Sequence, residues 1–114
     1  MPPTVEDRCH DIVEAIAEIE GIWAGKTFAD FTANRPLRLA TERLLEIVCE
    51  ASRKLPDTVK HDEPAIAWRR IIDFGNVLRH AYHTTKADIV WSIVQNDLPV
   101  LKAFAETKLR SARQ

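Results

Sequence analysis

The sequence is poor in residues that make tight turns. It has three glycines in 114 residues, and neither Asn-Gly nor Asp-Gly occurs anywhere in it. Those two pairs are the strongest signals for two-residue β-hairpin loops. A protein built from β-hairpins is therefore disfavoured, and helix is the expected class before any motif is considered.

A long apolar run and a metal-type cysteine spacing are also missing. No stretch approaches the ~18–20 apolar residues of a membrane span. A signal peptide begins with a basic segment that leads into an apolar one, and residues 1–4 do not have this pattern. Cys9 and Cys49 match no zinc or redox spacing, so two buried thiols are expected. We therefore expect a cytoplasmic protein with no cofactor and no membrane contact.

The chain has no excess of positive charge. Sixteen basic and seventeen acidic residues give a formal net charge of -1. A protein that holds nucleic acid through bulk charge is normally basic. Any contact with RNA must therefore come from a local patch, or from a dimer groove that concentrates a few Arg and His side chains.

Apolar residues at helical spacing, together with capping residues, predict four or five helices. Thr4 and Asp7 resemble a capping box for the first helix, and Asn34 can cap the second, which ends before Leu55-Pro56. Pro64 is expected to open the third helix and Asp97 to cap the last. The expected helices cover about residues 5–23, 35–54, 64–82, 88–95 and 97–109, with a turn near 28–31 and a polar loop at 57–63. Short connections between them predict an all-α, antiparallel up-and-down bundle of four to five helices.

The third helix carries an unusual polar face. Its apolar positions are Ile71, Phe74, Val77, Leu78 and Ala81. Nearly opposite them, an arc of about 80° holds Arg69, Asp73, Asn76, His80 and His83. A solvated face usually carries Glu, Lys, Gln and Ala, whereas Asn and His are poorer helix formers and His exchanges protons near neutral pH. A solvated face and a functional site both remain open from composition alone.

The two histidines of this face have simpler explanations to consider. His83 could stabilise the carboxyl end of the helix through the macrodipole. His80 lies one turn earlier and is harder to explain in this way. No third His, Cys or carboxylate is placed to complete a metal site with the pair, so no metal is expected.

Residues 68–82 resemble the signature of HepT-like proteins in the HEPN superfamily. Trp68, Asn76, His80 and Tyr82 match the family's Trp, Asn, His and Tyr in register. Residues 42–51 and 90–101 agree with two further family segments. The resemblance covers nearly the whole chain, and it implies one HepT-like domain over residues 1–114.

The resemblance also implies an activity and a partner. HepT-like toxins cleave RNA without a metal, in a cleft at a homodimer interface where Arg and His act on the phosphate and the ribose hydroxyl. They pair with an MntA-like nucleotidyltransferase antitoxin, which in some systems transfers AMP to the motif Tyr, here Tyr82. The resemblance thus implies His80 and Asn76 as site residues, and the polar face of the same helix adds Arg69, Asp73 and His83 as supporting residues.

One position departs from the family. The motif Arg precedes Asn, and this chain has Gly75 there. Arg79 lies one turn further along and is expected to reach back over the space that Gly75 leaves open. A glycine inside a helix costs about 1 kcal/mol relative to Ala, which suggests either a close backbone approach at an interface or a degenerate enzyme no longer held to the motif Arg. We also expect the fold to tolerate Gly75→Arg, because Arg is a far better helix former.

Two functions remain open. The first is the toxin of a toxin–antitoxin module, a homodimeric endoribonuclease weakened by Gly75. The second is a non-catalytic RNA-binding or scaffold protein that pairs with a nucleotidyltransferase. A plain structural bundle ranks below both.

Overall fold

The computed structural model describes residues 2–80 and 86–113. Helices account for 82% of these residues, which include no strand, so the prediction of an all-α protein is confirmed. The helices are α1 (Val5–Trp23), α2 (Phe28–Ala33), α3 (Arg35–Lys54), α4 (Asp57–Lys60), α5 (Trp68–His80), α6 (Ala87–Ser92) and α7 (Leu98–Ala112). A π-helical turn (Ile93–Asp97) joins α6 to α7.

The two longest helices have the bounds that their capping residues predict. The Thr4 hydroxyl accepts a hydrogen bond from the Asp7 amide at 3.1 Å, and the Asp7 carboxylate accepts one from the Thr4 amide at 2.9 Å. Asn34 caps α3 by accepting from the Leu37 amide at 3.1 Å. Helix α3 ends at Lys54, because the residue before a proline is forced out of helical geometry. These ends are decided locally, within one turn of chain.

Helix α2 is longer than the single turn expected near residues 28–31. It runs to Ala33 and begins with a second capping box, in which Thr27 and Asp30 each accept a hydrogen bond from the other's amide. Phe31 of this helix is fully buried. The Thr-x-x-Asp spacing that marked α1 therefore marks α2 as well.

The segment between α3 and α5 differs from expectation in two ways. The polar loop expected at 57–63 begins with the short helix α4. Pro64 does not open the third helix, which begins at Trp68 instead. The intervening chain turns so that Ile66 is buried, and the Trp68 indole donates to the carbonyls of Lys60 and Glu63, both at 3.1 Å. Burial of Ile66 and the partial burial and hydrogen bonds of Trp68 outweigh the tendency of Pro to start a helix.

The sequence suggested that Asp97 caps the last helix, but it does not. It is itself helical and makes no side-chain cap; its carboxylate accepts from Arg70 Nε at 2.8 Å. Pro99 lacks an amide proton and its ring would clash with the carbonyl four residues back. The helix instead forms a wider turn with one extra residue, in which the Leu98 amide donates to the carbonyl of Ile93, five residues back. The break expected between the last two helices is thus a π turn in a continuous helix.

Helices α1, α3, α5 and α7 form the antiparallel bundle. Helix α1 packs between α3 and α7, and α5 packs on the other side of α3. Trp23, at the end of α1, donates to the Thr41 hydroxyl near the start of α3 at 2.7 Å. Glu20, also near the end of α1, pairs with Lys102 near the start of α7 at 2.8 Å. No helix among the described residues has the length and apolar character needed to cross a membrane.

Candidate active site on helix α5

The polar face of α5 is exposed, as its sequence predicts. Arg69, Asp73, Asn76 and His80 all lie at the surface. Arg69 Nε lies 3.9 Å from the Asp73 carboxylate, and their side chains are 91% and 63% exposed. This pair is solvated, and eleven residues of helix, about 16 Å of rise, separate Arg69 from His80. Arg69 and Asp73 are therefore not brought to His80 within one chain.

The apolar face of α5 is narrower than expected. Ile71, Phe74 and Leu78 are buried, but Val77 is 47% exposed. Val77 follows Gly75 by about 200° around the helix, and Gly75 faces α3. The prediction of Val77 as a core residue is thus wrong, because it lies on the flank opposite α3. Ala81, Tyr82 and His83 lie outside the described residues.

Arg79 contacts two other groups of the site. One guanidinium nitrogen, Nη1, lies 3.1 Å from the Glu50 carboxylate on α3, and the other, Nη2, donates to the Asn76 side-chain oxygen. On the helix circumference, Asn76 lies between Arg79 and His80. The structure therefore joins two of the three predicted site residues through a hydrogen bond and leaves the third, His80, exposed one residue beyond Arg79.

Glu50 belongs to the site and was not predicted from sequence. Arg53 donates to its carboxylate at 3.1 and 2.6 Å, and Lys54 Nζ lies 3.6 Å away. The hydrogen bonds from Arg53, followed by the charges of Arg53, Lys54 and Arg79, lower the Glu50 pKa to about 2. Glu50 therefore stays ionised at every ordinary pH. The Glu-x-x-Arg-Lys spacing is visible in the sequence, but the sequence does not show that this carboxylate faces α5.

Gly75 does not leave the open space over which Arg79 was expected to reach, but it does lie at a close backbone approach, one of the two explanations that the sequence allowed. It is buried, and a Cβ atom placed on it would lie 2.8 Å from the Cys49 Cβ of α3. Real Cβ atoms do not approach this closely, so the glycine is what lets α5 pack directly against α3. The expectation that the fold would tolerate Gly75→Arg is therefore wrong. Helix propensity favours Arg, but the contact with Cys49 excludes any side chain.

The cysteines are buried, as predicted, and Trp68 and Trp91 pack against other aromatic side chains. Cys9 and Cys49 are free and buried, and burial raises the Cys49 pKa to about 12. Trp68 packs edge-on against Phe104, with ring centroids 5.2 Å apart. Trp91 lies in an aromatic cluster with Trp23, Phe28 and Phe31. Within residues 2–80 and 86–113, no three His, Cys, Asp or Glu side chains are grouped to hold a metal ion.

Comparison with known proteins gives one consistent family. A family model described as ribonuclease HepT-like matches residues 12–107. A protein of Thermococcus cleftensis named "Probable ribonuclease HepT" is 37% identical over 110 residues, 96% of this chain and 99% of that protein. A "Putative RNase" of Methanocaldococcus jannaschii is 29% identical over 97 residues, 85% of this chain and 89% of its own length. No solved structure gives a significant match.

Proposed function

Because the chain belongs to the HepT-like ribonuclease family, we propose that it is a metal-independent endoribonuclease. His80 exchanges the protons of the reaction, and Arg79 stabilises the negative charge on the phosphate. Asn76 positions the Arg79 guanidinium. The name of the Thermococcus relative points to the same substrate class, RNA.

The observation that carries this proposal is the Arg79 contact with Asn76 and Glu50 beside His80. Because the motif Arg is missing, RNA cleavage requires another cation to stabilise the negative charge on the phosphate. Arg79 is held by groups from two helices, and its side chain is still 41% exposed. A substrate phosphate can therefore reach a guanidinium that is already oriented. His80 is also exposed, about 100° around the helix from Arg79, with Asn76 between them.

The residues suit cleavage by the ribose 2′-hydroxyl. His80 accepts the hydroxyl proton, the freed oxygen bonds to phosphorus, and the bond from phosphorus to the 5′-oxygen of the next nucleotide breaks. That oxygen leaves with a proton from an imidazolium or from water. The products are a 2′,3′-cyclic phosphate and a 5′-hydroxyl. Each step moves a proton or neutralises developing charge, which an imidazole and a guanidinium do without a metal ion.

The test compares RNA with DNA of the same sequence in excess EDTA. We expect the labelled RNA to be cleaved to fragments ending in a cyclic phosphate, and the DNA to remain intact because it lacks the attacking hydroxyl. Cleavage of both nucleic acids, or loss of RNA cleavage in EDTA with recovery on adding Mg²⁺, would contradict the proposal.

The second part of the proposal is a homodimer that brings two polar faces of α5 to one cleft. A single face offers few cations to an RNA strand, since Arg69 is about 16 Å along the helix from His80 and pairs with Asp73. We expect light scattering to give twice the 13.0 kDa mass of the chain at micromolar concentration. A monomer at that concentration would count against the shared cleft.

The third part is the toxin role in the cytoplasm, with a nucleotidyltransferase antitoxin as partner. Tyr82 is the proposed AMP acceptor, two residues after His80. Incubation with ATP and the cognate nucleotidyltransferase should add mass in units of AMP to the wild type, but not to Tyr82→Phe. Equal labelling of both proteins would remove Tyr82 from the proposal.

Gly75 favours a second function, a non-catalytic RNA-binding or scaffold protein that pairs with the nucleotidyltransferase. Its close packing against Cys49 shows that the helix contact occupies the motif-Arg position. If Arg79 does not replace the Arg, binding would remain without cleavage. The RNA test separates the two, because this alternative predicts RNA binding and no cyclic-phosphate product.

A further inference from the structure

Three cations from two helices meet at one carboxylate on the α3 side of the site. Arg53 and Lys54 come from the last turn of α3, and Arg79 comes from α5, 29 residues beyond Glu50 in sequence. Their nitrogens lie 2.6, 3.6 and 3.1 Å from the Glu50 carboxylate. We call Arg53, Lys54, Arg79 and Glu50 the α3–α5 basic cluster. It has three positive charges and one negative charge, in a chain whose net charge is -1.

Helix stabilisation explains only part of this cluster. Cations in the last turn of a helix complement its dipole, and pairs of Glu with a cation three or four residues later stabilise a helix slightly. Neither effect accounts for Arg79, which belongs to another helix and adds a third cation to a carboxylate already bonded to Arg53. The side chains of the three cations are 49%, 42% and 41% exposed, so an anion can reach them.

The donors of the cluster exceed what Glu50 can accept. A guanidinium has five N–H donors and a Lys ammonium three, whereas a carboxylate has about four acceptor positions. The Lys54 nitrogen at 3.6 Å is attracted by charge and lies beyond hydrogen-bond distance. A phosphodiester brings one negative charge and two unesterified oxygens, which suit a guanidinium and an ammonium side by side.

We propose that Arg53 and Lys54 form a subsite for a backbone phosphate of the RNA next to the one that is cleaved. Glu50 holds them beside Arg79, which contacts the scissile phosphate. The inference rests on the proposed function. Phosphate contacts of this kind fix the register of a strand without reading its bases. The subsite therefore favours RNA strands long enough to span both phosphates, whatever their sequence.

The test measures binding and cleavage separately. Binding uses a labelled single-stranded RNA with 2′-O-methyl groups, which cannot be cleaved, and the affinity is followed from low to high salt. Arg53→Ala and Lys54→Ala should each weaken binding by about 3- to 10-fold, and each should reduce the slope of log affinity against log salt by about 0.7. In cleavage of the unmodified RNA, KM should rise while kcat stays near the wild-type value, because neither side chain touches the reacting atoms.

The matched control is Arg43→Ala. Arg43 lies on the same helix, about 10 Å of rise before Glu50, and its side chain is 72% exposed. It borders the same groove beside α1 as Glu50, but it pairs with Glu46 at 3.0 Å and is not one of the three cations paired with Glu50. Its removal deletes the same charge elsewhere on α3 and should change affinity less than 2-fold. A dinucleotide substrate is a second control, since it carries no neighbouring phosphate, and its cleavage should fall less in Arg53→Ala and Lys54→Ala than cleavage of the longer RNA does. Circular dichroism checks that each variant is folded.

The outcomes separate this inference from the proposed function. If the wild type cleaves RNA but Arg53→Ala and Lys54→Ala bind like Arg43→Ala, the subsite is wrong and the endoribonuclease remains. Equal weakening by all three variants would show a general charge effect and would likewise overturn the subsite. A wild type that neither binds nor cleaves RNA would overturn both.

Discussion

Gly75→Arg is expected to destabilise the bundle rather than to restore an active site. Its first added atom, Cβ, would lie 2.8 Å from the Cys49 Cβ, and a Cβ cannot move without moving its backbone. Helices α3 and α5 would have to separate, and a guanidinium would enter a buried position. We expect a loss of at least about 3 kcal/mol in the free energy of unfolding. Urea denaturation followed by circular dichroism measures it.

Two alanine variants give the matched control for this prediction. Gly75→Ala should cost about 1–3 kcal/mol through overpacking, even though Ala is about 1 kcal/mol better than Gly in a helix. Gly21→Ala, near the end of α1, should stabilise by up to about 1 kcal/mol, because nothing lies within 4 Å of the added Cβ. Cys49→Gly, which removes the clashing Cβ, should cost less stability in the Gly75→Ala protein than in the wild type. A Gly75→Ala protein as stable as Gly21→Ala would show that α3 and α5 do not touch there.

The parts of the fold that sequence predicts are those decided within one turn. Thr4 with Asp7 and Asn34 fix the starts of α1 and α3, and Leu55-Pro56 fixes the end of α3. Pro64 was misleading because its tendency to start a helix is weaker than the burial of Ile66 and the packing of the partly buried Trp68 against Phe104, which lies far away in the sequence. Local signals predict helix ends only where packing does not compete with them.

The candidate site is likewise predicted only as far as local sequence signals reach. The spacing of Asn76, Arg79 and His80 along one helix was enough to group them. It could not show that Glu50 would meet Arg79, because that contact depends on how α5 lies against α3. Nor could it distinguish a glycine in open space from one pressed against Cys49. Both facts belong to the helix–helix contact, about which a single sequence says little.

Arg79→Ala is expected to slow RNA cleavage by at least ~10-fold, because the phosphate loses its nearest fixed cation. Arg79→Lys should recover only part of the rate. Lys keeps the charge but cannot contact Asn76 and Glu50 with two nitrogens of one planar group, as Arg79 does. Single-turnover cleavage of one labelled RNA measures both variants. Full activity of Arg79→Ala would show that Arg79 does not replace the missing motif Arg.

His80→Ala should have the largest effect on activity. General acid–base catalysis by a placed imidazole is worth about 10²–10⁴-fold, and His80 is the proton carrier of the proposed reaction. RNA binding should change little, because the basic cluster is intact. His61→Ala removes another exposed imidazole, in the connection before α5, and should leave the rate unchanged.

The most direct test of the account is the single-turnover rate of RNA cleavage in excess EDTA by the wild type, His80→Ala and His61→Ala. We predict that the wild type and His61→Ala cleave equally with and without EDTA, and that His80→Ala is at least ~100-fold slower. A His80→Ala protein as fast as the wild type, or a wild type that needs a divalent ion, would contradict the account.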